Sequence, residues 1–202
     1  MRFLCLLLIA SVAMFALAAP TPPTPAESSE GLPTDDAILA GLRDFRTAYD
    51  YDAGYLEKLL KASPGAYRAF DGGQSMSIYR KALPLDAHYV ARVATMQVED
   101  CGPCTQVNLR MAIEAGVERS LLETLLKNPD ELPKELRGVR DHARAVVGAE
   151  QLDPDRAERL RAAYGDEGLA ELAIVITGCR IYPTLKRALL ENESCIIGDL
   201  EY

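Results

Sequence analysis

Clusters of basic residues are missing from this sequence, in which 22 Lys and Arg stand against 30 Asp and Glu. Aromatic residues do not alternate with basic ones, and the formal net charge is −8. Because nucleic-acid-binding surfaces need clustered positive charge, these absences argue against a nucleic-acid partner. Strand-like runs are scarce too: the run at residues 173–176 is the only strong one, too little for a sheet. No long apolar run follows residue 18, so we expect no membrane span in the rest of the chain.

The N-terminus has the parts of a secretory signal peptide. Met1 and Arg2 form a short positive region, residues 3–17 are almost entirely apolar, and Ala16 and Ala18 fit a cleavage site. We therefore predict a signal peptide over residues 1–18 and an exported protein, periplasmic or secreted. The alternative is an uncleaved apolar anchor. Residues 19–33 are rich in Pro, Thr, Ser and Glu, which predicts a disordered tether before a folded domain at 34–202.

Helical spacing of apolar residues dominates the predicted domain. Thr34 is a good N-terminal cap, Ser63 followed by Pro64 is a second, and Gly116 is a stop signal. We expect an interruption at residues 71–73, a helix that ends before Gly165, and a kink at Pro183 in the last helix. The pattern as a whole predicts an all-α fold of roughly seven to nine helices.

The strongest chemical motif is Cys101-Gly102-Pro103-Cys104. Two cysteines at this spacing close a small ring and interconvert readily between dithiol and disulfide. Thioredoxins carry the same tetrapeptide after a buried strand, but residues 89–97 here have helical spacing, and no Trp precedes Cys101. We expect Asp100 to cap a helix whose first turn holds both cysteines. The free N–H groups and the dipole of that helix would then stabilise a thiolate. The negative charges of Glu99 and Asp100 would oppose this stabilisation.

Three segments resemble the carboxymuconolactone decarboxylase and alkylhydroperoxidase D-like superfamily: residues 93–108, 112–117 and 176–188. The last segment resembles the C-terminal helix of one uncharacterised branch of that superfamily. The resemblance covers roughly residues 50 to 190 and is firmest around the cysteines. It implies an all-helical bundle with the cysteine pair at the start of a helix. It also implies a homo-oligomer, a trimer or a hexamer.

The chain departs from the family's peroxidases at two positions. Those enzymes have a histidine four residues after the second cysteine, where this chain has Asn108, and a glutamate twelve residues before the first, where it has Tyr89. An asparagine can orient a thiol or a water but cannot accept a proton near neutral pH. The family's proton relay is therefore absent in its usual form.

His88 and Glu99 are the nearby titratable groups that would replace the relay as bases. Both share one helix face with Arg92 and Thr95, because the four residues follow a 4-3-4 spacing. On one interpretation this face points into a site, where Glu99 is a base near Cys104 and Arg92 favours its thiolate. On the other, which we favour, it is a solvated face with ion pairs along the helix.

The resemblance implies that Cys104 attacks a small peroxide or disulfide and that Cys101 resolves the product. The predicted function is a thiol-dependent antioxidant or peroxide-reducing protein, recycled by an unidentified thiol reductant, without a cofactor. One Cys-x-x-Cys with no second ligand pair does not predict a metal site. The alternatives are a non-catalytic helical domain with a structural disulfide and a thiol–disulfide oxidoreductase acting on proteins. For Cys179 and Cys195 three alternatives stay open: they pair as a staple, Cys179 lies beside the motif across the bundle as a partner for it, or both are separate thiols.

Overall fold

The computed structural model describes residues 32–191. The predicted signal peptide, nearly all of the predicted tether and Cys195 lie outside these residues. Eight α-helices and one 3₁₀ turn make up the described part, which contains no strand, so the all-α prediction is confirmed. The α-helices are α1 (Asp35–Tyr49), α2 (Gly54–Ala62), α3 (Pro64–Ile78), α4 (Leu85–Val98), α5 (Gly102–Glu114), α6 (Arg119–Lys127), α7 (Lys134–Val147) and α8 (Pro154–Ala188).

Local signals set several helix ends as predicted. The Thr34 hydroxyl accepts a hydrogen bond from the N–H of Ala37 at the start of α1. The Ser63 hydroxyl does the same for Ala66 at the start of α3, with proline next in the chain. Gly116 has a φ of 101°, which lets the chain leave α5 in a left-handed turn.

One predicted interruption is wrong. Helix α3 runs unbroken through residues 71–73, because glycine lowers helix stability without forbidding helical angles. In α8 the backbone angles at Pro183 are helical, and the kink there stays a prediction. The break falls at Gly165, with a φ of 72°, where the sequence predicts the end of a helix.

Helix α4 lies at the centre of the bundle and packs against α5, α7 and α8. Its ten consecutive residues from Ala87 to Met96 are all buried, so both its apolar and its polar faces are covered by neighbouring helices. A helix buried on all sides belongs to the core. Polar side chains on α4 therefore need partners inside the protein.

The connection between α3 and α4 is fixed by Glu171 of α8, whose side chain is buried. Its carboxylate accepts hydrogen bonds from the backbone N–H groups of Lys81, Ala82 and Leu83, at 2.8–3.1 Å. Burial alone would raise the pKa of Glu171, but these donors outweigh it and lower the pKa. Glu171 thus replaces the water that would otherwise solvate this loop.

Helix α8 is long and apolar enough, by length and composition alone, to cross a membrane. Core helices meet the same criterion. The apolar side chains of Leu172, Val175 and Ile176 are buried, and α8 packs against α3, α4 and α7. We therefore interpret α8 as a core helix of the bundle.

Two glycines, one at the contact between α3 and α8 and one at an open position of α3, predict opposite effects of a Gly→Ala substitution. A Cβ at Gly178 would collide with the backbone N of Ser77 and lie 2.6 Å from the carbonyl carbon of Met76. Gly178→Ala should lower the free energy of unfolding by about 1–3 kcal/mol. Gly72 lies in α3 with nothing within 4 Å of an added Cβ, so Gly72→Ala should raise it by about 0.5–1 kcal/mol. Urea denaturation measures both, and a Gly178→Ala variant as stable as the wild type would contradict the close packing.

Candidate active site

The two cysteines lie at the N-terminal end of α5, where their sulfur atoms are bonded as a disulfide. Cys101 is the N-cap residue and Cys104 is in the first turn; both are at most 2% exposed. The predicted cap by Asp100 is wrong: no side chain caps α5, and Asp100 stands one residue before the cap with a φ of 51°. The first-turn N–H groups of α5 therefore remain available to a sulfur anion.

Glu99 precedes the disulfide and is held by two arginines of α8. Its carboxylate accepts a hydrogen bond from Nε of Arg180 at 2.7 Å and a second, short one from Arg187. The Arg187 guanidinium also donates to the backbone oxygen of Glu99 at 3.2 Å. These contacts tie the turn between α4 and α5 to α8 and compensate the negative charge beside the cysteines. The role of Glu99 as a base stays a prediction.

Asn108 lies one helical turn after Cys104 and binds its backbone. Its side-chain amide donates to the carbonyl oxygen of Cys104 at 2.7 Å, and its Oδ1 accepts from Nε of Arg92 at 2.7 Å. Both side chains are buried. The structure therefore brings Asn108 to Cys104 through the main chain, in a bridge that joins α5 to α4.

His88 reaches the site through Arg92, with 3.4 Å between its Nε2 and a terminal nitrogen of the guanidinium. Because arginine only donates, His88 Nε2 accepts and the ring proton lies on Nδ1, which has no hydrogen-bond partner among residues 32–191. Burial, together with the charges of Arg92 and Arg80, lowers the pKa of His88 to about 4. The imidazole is neutral at pH 7 and positions Arg92; its role as a base stays a prediction.

The α4 face that carries these groups is inside the protein. His88, Arg92, Thr95 and Glu99 are each at most 9% exposed. The interpretation of this face as solvated is therefore wrong. Periodicity shows which residues share a face but not what covers it; here α5 and α8 do.

A cavity of about 470 Å³ leads to Cys104. Its mouth is formed by exposed residues of α1 and α3, among them Gly41 and Asp71. Its lining also includes the buried residues Cys104, Arg92 and Asn108, whereas Cys101 is not part of it. The rest of the lining is mostly apolar and aromatic: Ile38, Leu42, Phe45, Tyr51, Tyr55, Leu56, Tyr67, Met96, Val107, Met111 and Tyr182.

Cys179 of α8 lines the same cavity, in agreement with its predicted place beside the motif. It is buried and not in a disulfide among the described residues, and its possible partner Cys195 lies outside them. Burial raises the pKa of the Cys179 thiol to about 11, so the thiol is protonated at neutral pH. No group of three His, Cys, Asp or Glu side chains within residues 32–191 is arranged to hold a metal ion.

Sequence reasoning missed a group of three residues, of which Tyr51 contacts Cys104 and the other two, Tyr55 and Lys186, contact Tyr51. The Tyr51 hydroxyl lies 3.8 Å from the Cys104 sulfur and 3.3 Å from the Tyr55 hydroxyl. The Lys186 ammonium, fully buried, lies 4.4 Å from the Tyr51 ring centroid and 4.9 Å from that of Tyr55. One signal was available: Lys186 continues at helical spacing the buried α8 face of Cys179 and Pro183.

Comparison with known proteins gives a structural match alone. No protein-family model matches the chain, and no curated protein is significantly similar to it. A solved structure with the same fold is that of a cysteine-to-alanine variant of the debrominase Bmp8 in complex with 2,3,4-tribromopyrrole. The TM-score is 0.64 at 17% sequence identity, over 84% of this chain and 89% of that one. The predicted alkylhydroperoxidase D-like helical bundle is thereby confirmed as the fold.

The burial of His88 predicts an unusual titration. Its ring should titrate near pH 4, because the charged form loses hydration and faces Arg92. As the folded pKa lies below the unfolded value of about 6.5, the unfolded chain binds the proton first as pH falls. Stability should therefore decrease between pH 6.5 and 4, by at most about 1.4 kcal/mol per pH unit from this residue. NMR titration of the two histidine rings measures the pKa directly, with the His88→Gln variant assigning the signals. A His88 ring that titrates near 6.5 would contradict its burial.

Proposed function

We propose that this protein is a thiol-dependent reductase of small peroxides or disulfides, in which Cys104 attacks the substrate and Cys101 resolves the product. The observation that carries the proposal is the cavity. Cys104 lies in its lining and Cys101 does not, which favours Cys104 as the cysteine that attacks the substrate. This order is also the one that the resemblance to the alkylhydroperoxidase D-like superfamily implies, and we propose that the chain belongs to that superfamily.

With a hydroperoxide the reaction takes two steps and a recycling step. The Cys104 thiolate attacks the terminal oxygen of ROOH; an S–O bond forms, the O–O bond breaks, and the alkoxide leaves as ROH after taking a proton. Cys101 then attacks the Cys104 sulfenic acid, which forms the disulfide and releases water. An external thiol reductant returns two electrons and restores the dithiol.

The surroundings of Cys104 favour its thiolate in three ways. The first-turn N–H groups of α5 present the positive end of the helix dipole, and no acidic residue lies in that turn. The Tyr51 hydroxyl is placed to donate to the sulfur. Glu99, which would oppose a second negative charge, is compensated by Arg180 and Arg187. Tyr51 thereby stabilises the thiolate by a hydrogen bond, while the proton acceptor of the family's histidine relay has no counterpart in this contact.

The burial of the pair favours a small substrate over a protein. Cys101 and Cys104 are 1% and 2% exposed, and a protein disulfide would have to enter the cavity to reach them. The cavity also argues against a purely structural disulfide, because such a bond needs no passage to its sulfur atom. These two functions remain the alternatives that the experiments below distinguish.

A halogenated aromatic ring is a second candidate substrate. The aromatic walls beside Cys104 favour it, and the debrominase that shares the fold is seen in complex with a tribrominated pyrrole. Release of bromide from 2,3,4-tribromopyrrole, in the presence of a dithiol, would support this candidate. Loss of hydroperoxide without bromide release would support the first.

The cellular setting follows from the sequence. We propose export to the periplasm or the exterior, on the strength of the apolar residues 3–17 and the small residues after them. A homo-oligomer, trimer or hexamer, follows from the resemblance. The reductant is a thiol or dithiol able to reach the buried pair.

Replacement of Cys104 tests the assignment of the nucleophile. Cys104→Ser should abolish the consumption of cumene hydroperoxide with dithiothreitol as reductant, a loss of at least 100-fold, because an alcohol is a far weaker nucleophile than a thiolate. Cys101→Ser is the matched control. It should still react once and leave a sulfenic acid on Cys104, detectable by mass spectrometry after trapping with dimedone. Equal rates for Cys104→Ser and the wild type would rule out the assignment.

A disulfide reduction potential below about −300 mV would favour a structural disulfide instead.

Tyr51 should lower the pKa of the Cys104 thiol in the reduced protein. A hydrogen bond to a charged group contributes about 1.5–3 kcal/mol, so Tyr51→Phe should raise this pKa by about one to two units and slow the peroxide reaction at pH 7. The pH dependence of thiolate absorbance at 240 nm measures the pKa. Tyr79→Phe, at a tyrosine that is 51% exposed, is the matched control. An unchanged thiol pKa in Tyr51→Phe would show that the hydroxyl does not act on the sulfur.

A further inference from the structure

Arg92 is a buried cation whose contacts are all with neutral groups. Its guanidinium donates hydrogen bonds to Asn108 at 2.7 Å and to His88 at 3.4 Å. It also lies 3.7 Å from the sulfur of Met111, and its central carbon is 5.2 Å from the Tyr89 ring centroid. No Asp or Glu oxygen of residues 32–191 lies within 4.0 Å of it. The arginines of residues 32–191 that do form ion pairs are all more exposed than Arg92.

A buried charge without a counter-charge is costly, and arginine cannot avoid the cost by losing its proton. The hydrogen bonds of Arg92 account for three of its five N–H groups, one of them to a weak thioether acceptor. Buried arginines are usually paired with carboxylates or phosphates, often through two parallel N–H···O bonds. Arg92 therefore retains both the charge and the donors to bind an anion.

The cavity gives such an anion a route to Arg92. Arg92 is a buried residue of the cavity lining and is hydrogen-bonded to Asn108; Cys104 and Cys179 belong to the same lining. Among residues 32–191 the only acidic residue of the lining is Asp71, which is exposed and accepts a hydrogen bond from Gln74. A ligand in this cavity is therefore surrounded by mostly apolar and aromatic side chains, with the buried guanidinium of Arg92 among them.

We infer that the cavity binds a small organic carboxylate with an apolar, preferably aromatic, body, and that Arg92 binds the carboxylate. The volume of about 470 Å³ falls within the usual range of small-molecule sites, about 300–1,000 Å³. The inference rests on the proposed function in one respect: the substrate would be a hydroperoxide or disulfide that also carries such an acid group. The binding itself requires no reaction and is testable in the disulfide form.

The test compares 2-naphthoate with its uncharged isostere 2-naphthamide by titration calorimetry at pH 7, on the wild-type protein in its disulfide form. The naphthoate should bind with a Kd at least tenfold lower than the amide. In Arg92→Met, which keeps the side-chain length and removes the charge, the two Kd values should become equal. Arg92→Lys should keep part of the difference, and Arg137→Met on α7, outside the cavity lining, should keep all of it.

Equal affinities for the two ligands in the wild type, or no binding of naphthoate at millimolar concentration, would overturn the inference even if an Arg92 variant failed to fold. If Arg92 serves only the Cys104 thiolate, Arg92→Met will raise the pKa of that thiol while the wild type shows no preference for naphthoate. That result also overturns the inference. Reduction of cumene hydroperoxide, which has no acid group, is measured separately. If the protein reduces cumene hydroperoxide but shows no preference for naphthoate, the inference is wrong and the proposed function stands. If it prefers naphthoate but Cys104→Ser reduces cumene hydroperoxide as fast as the wild type, the proposed function is wrong and the inference stands.

Discussion

The guanidinium of Arg92, buried where helix α4 crosses helix α5, is the contact that organises this site. Through Asn108 it fixes the carbonyl of Cys104, and through His88 it is anchored along its own helix. Because arginine stays charged, its burial also places a positive charge in the buried part of the cavity lining. The hold on the Cys104 main chain and the affinity expected for an anion both depend on this guanidinium, which also adds to the effect of burial in keeping His88 neutral.

A second group of charges controls the other side of the disulfide. The Glu99 carboxylate precedes the cysteines in the chain and would destabilise a thiolate if it stood alone. Arg180 and Arg187 of α8 compensate it, so the acidic residue that still opposes the first turn of α5 at the cysteines is the exposed Asp100. The same two contacts join α8 to the turn between α4 and α5, which shows how one pair of arginines serves both stability and electrostatics.

Under the proposed function, thiol chemistry on this fold proceeds without the histidine and glutamate of the peroxidases in the superfamily that the sequence resembles. The position of the histidine is taken by Asn108, which binds main chain, and the hydrogen bond to the sulfur comes from Tyr51 in the segment before α2. The debrominase that shares the fold is 17% identical, so the likeness concerns the arrangement of helices. Chemistry on this bundle is therefore decided by the side chains that line the cavity.

The sequence by itself determined the features that depend on near neighbours: the all-α class, the caps at Thr34 and Ser63, the stop at Gly116, and a cysteine pair at the start of a helix. These follow from backbone geometry within one or two helical turns. Only the tertiary structure decided that the polar face of α4 is buried, that Glu99 is paired with arginines 81 and 88 residues away, and that Tyr51, 53 residues before Cys104, contacts its sulfur. Such contacts depend on which faces pack together, and helical periodicity defines a face without identifying what covers it.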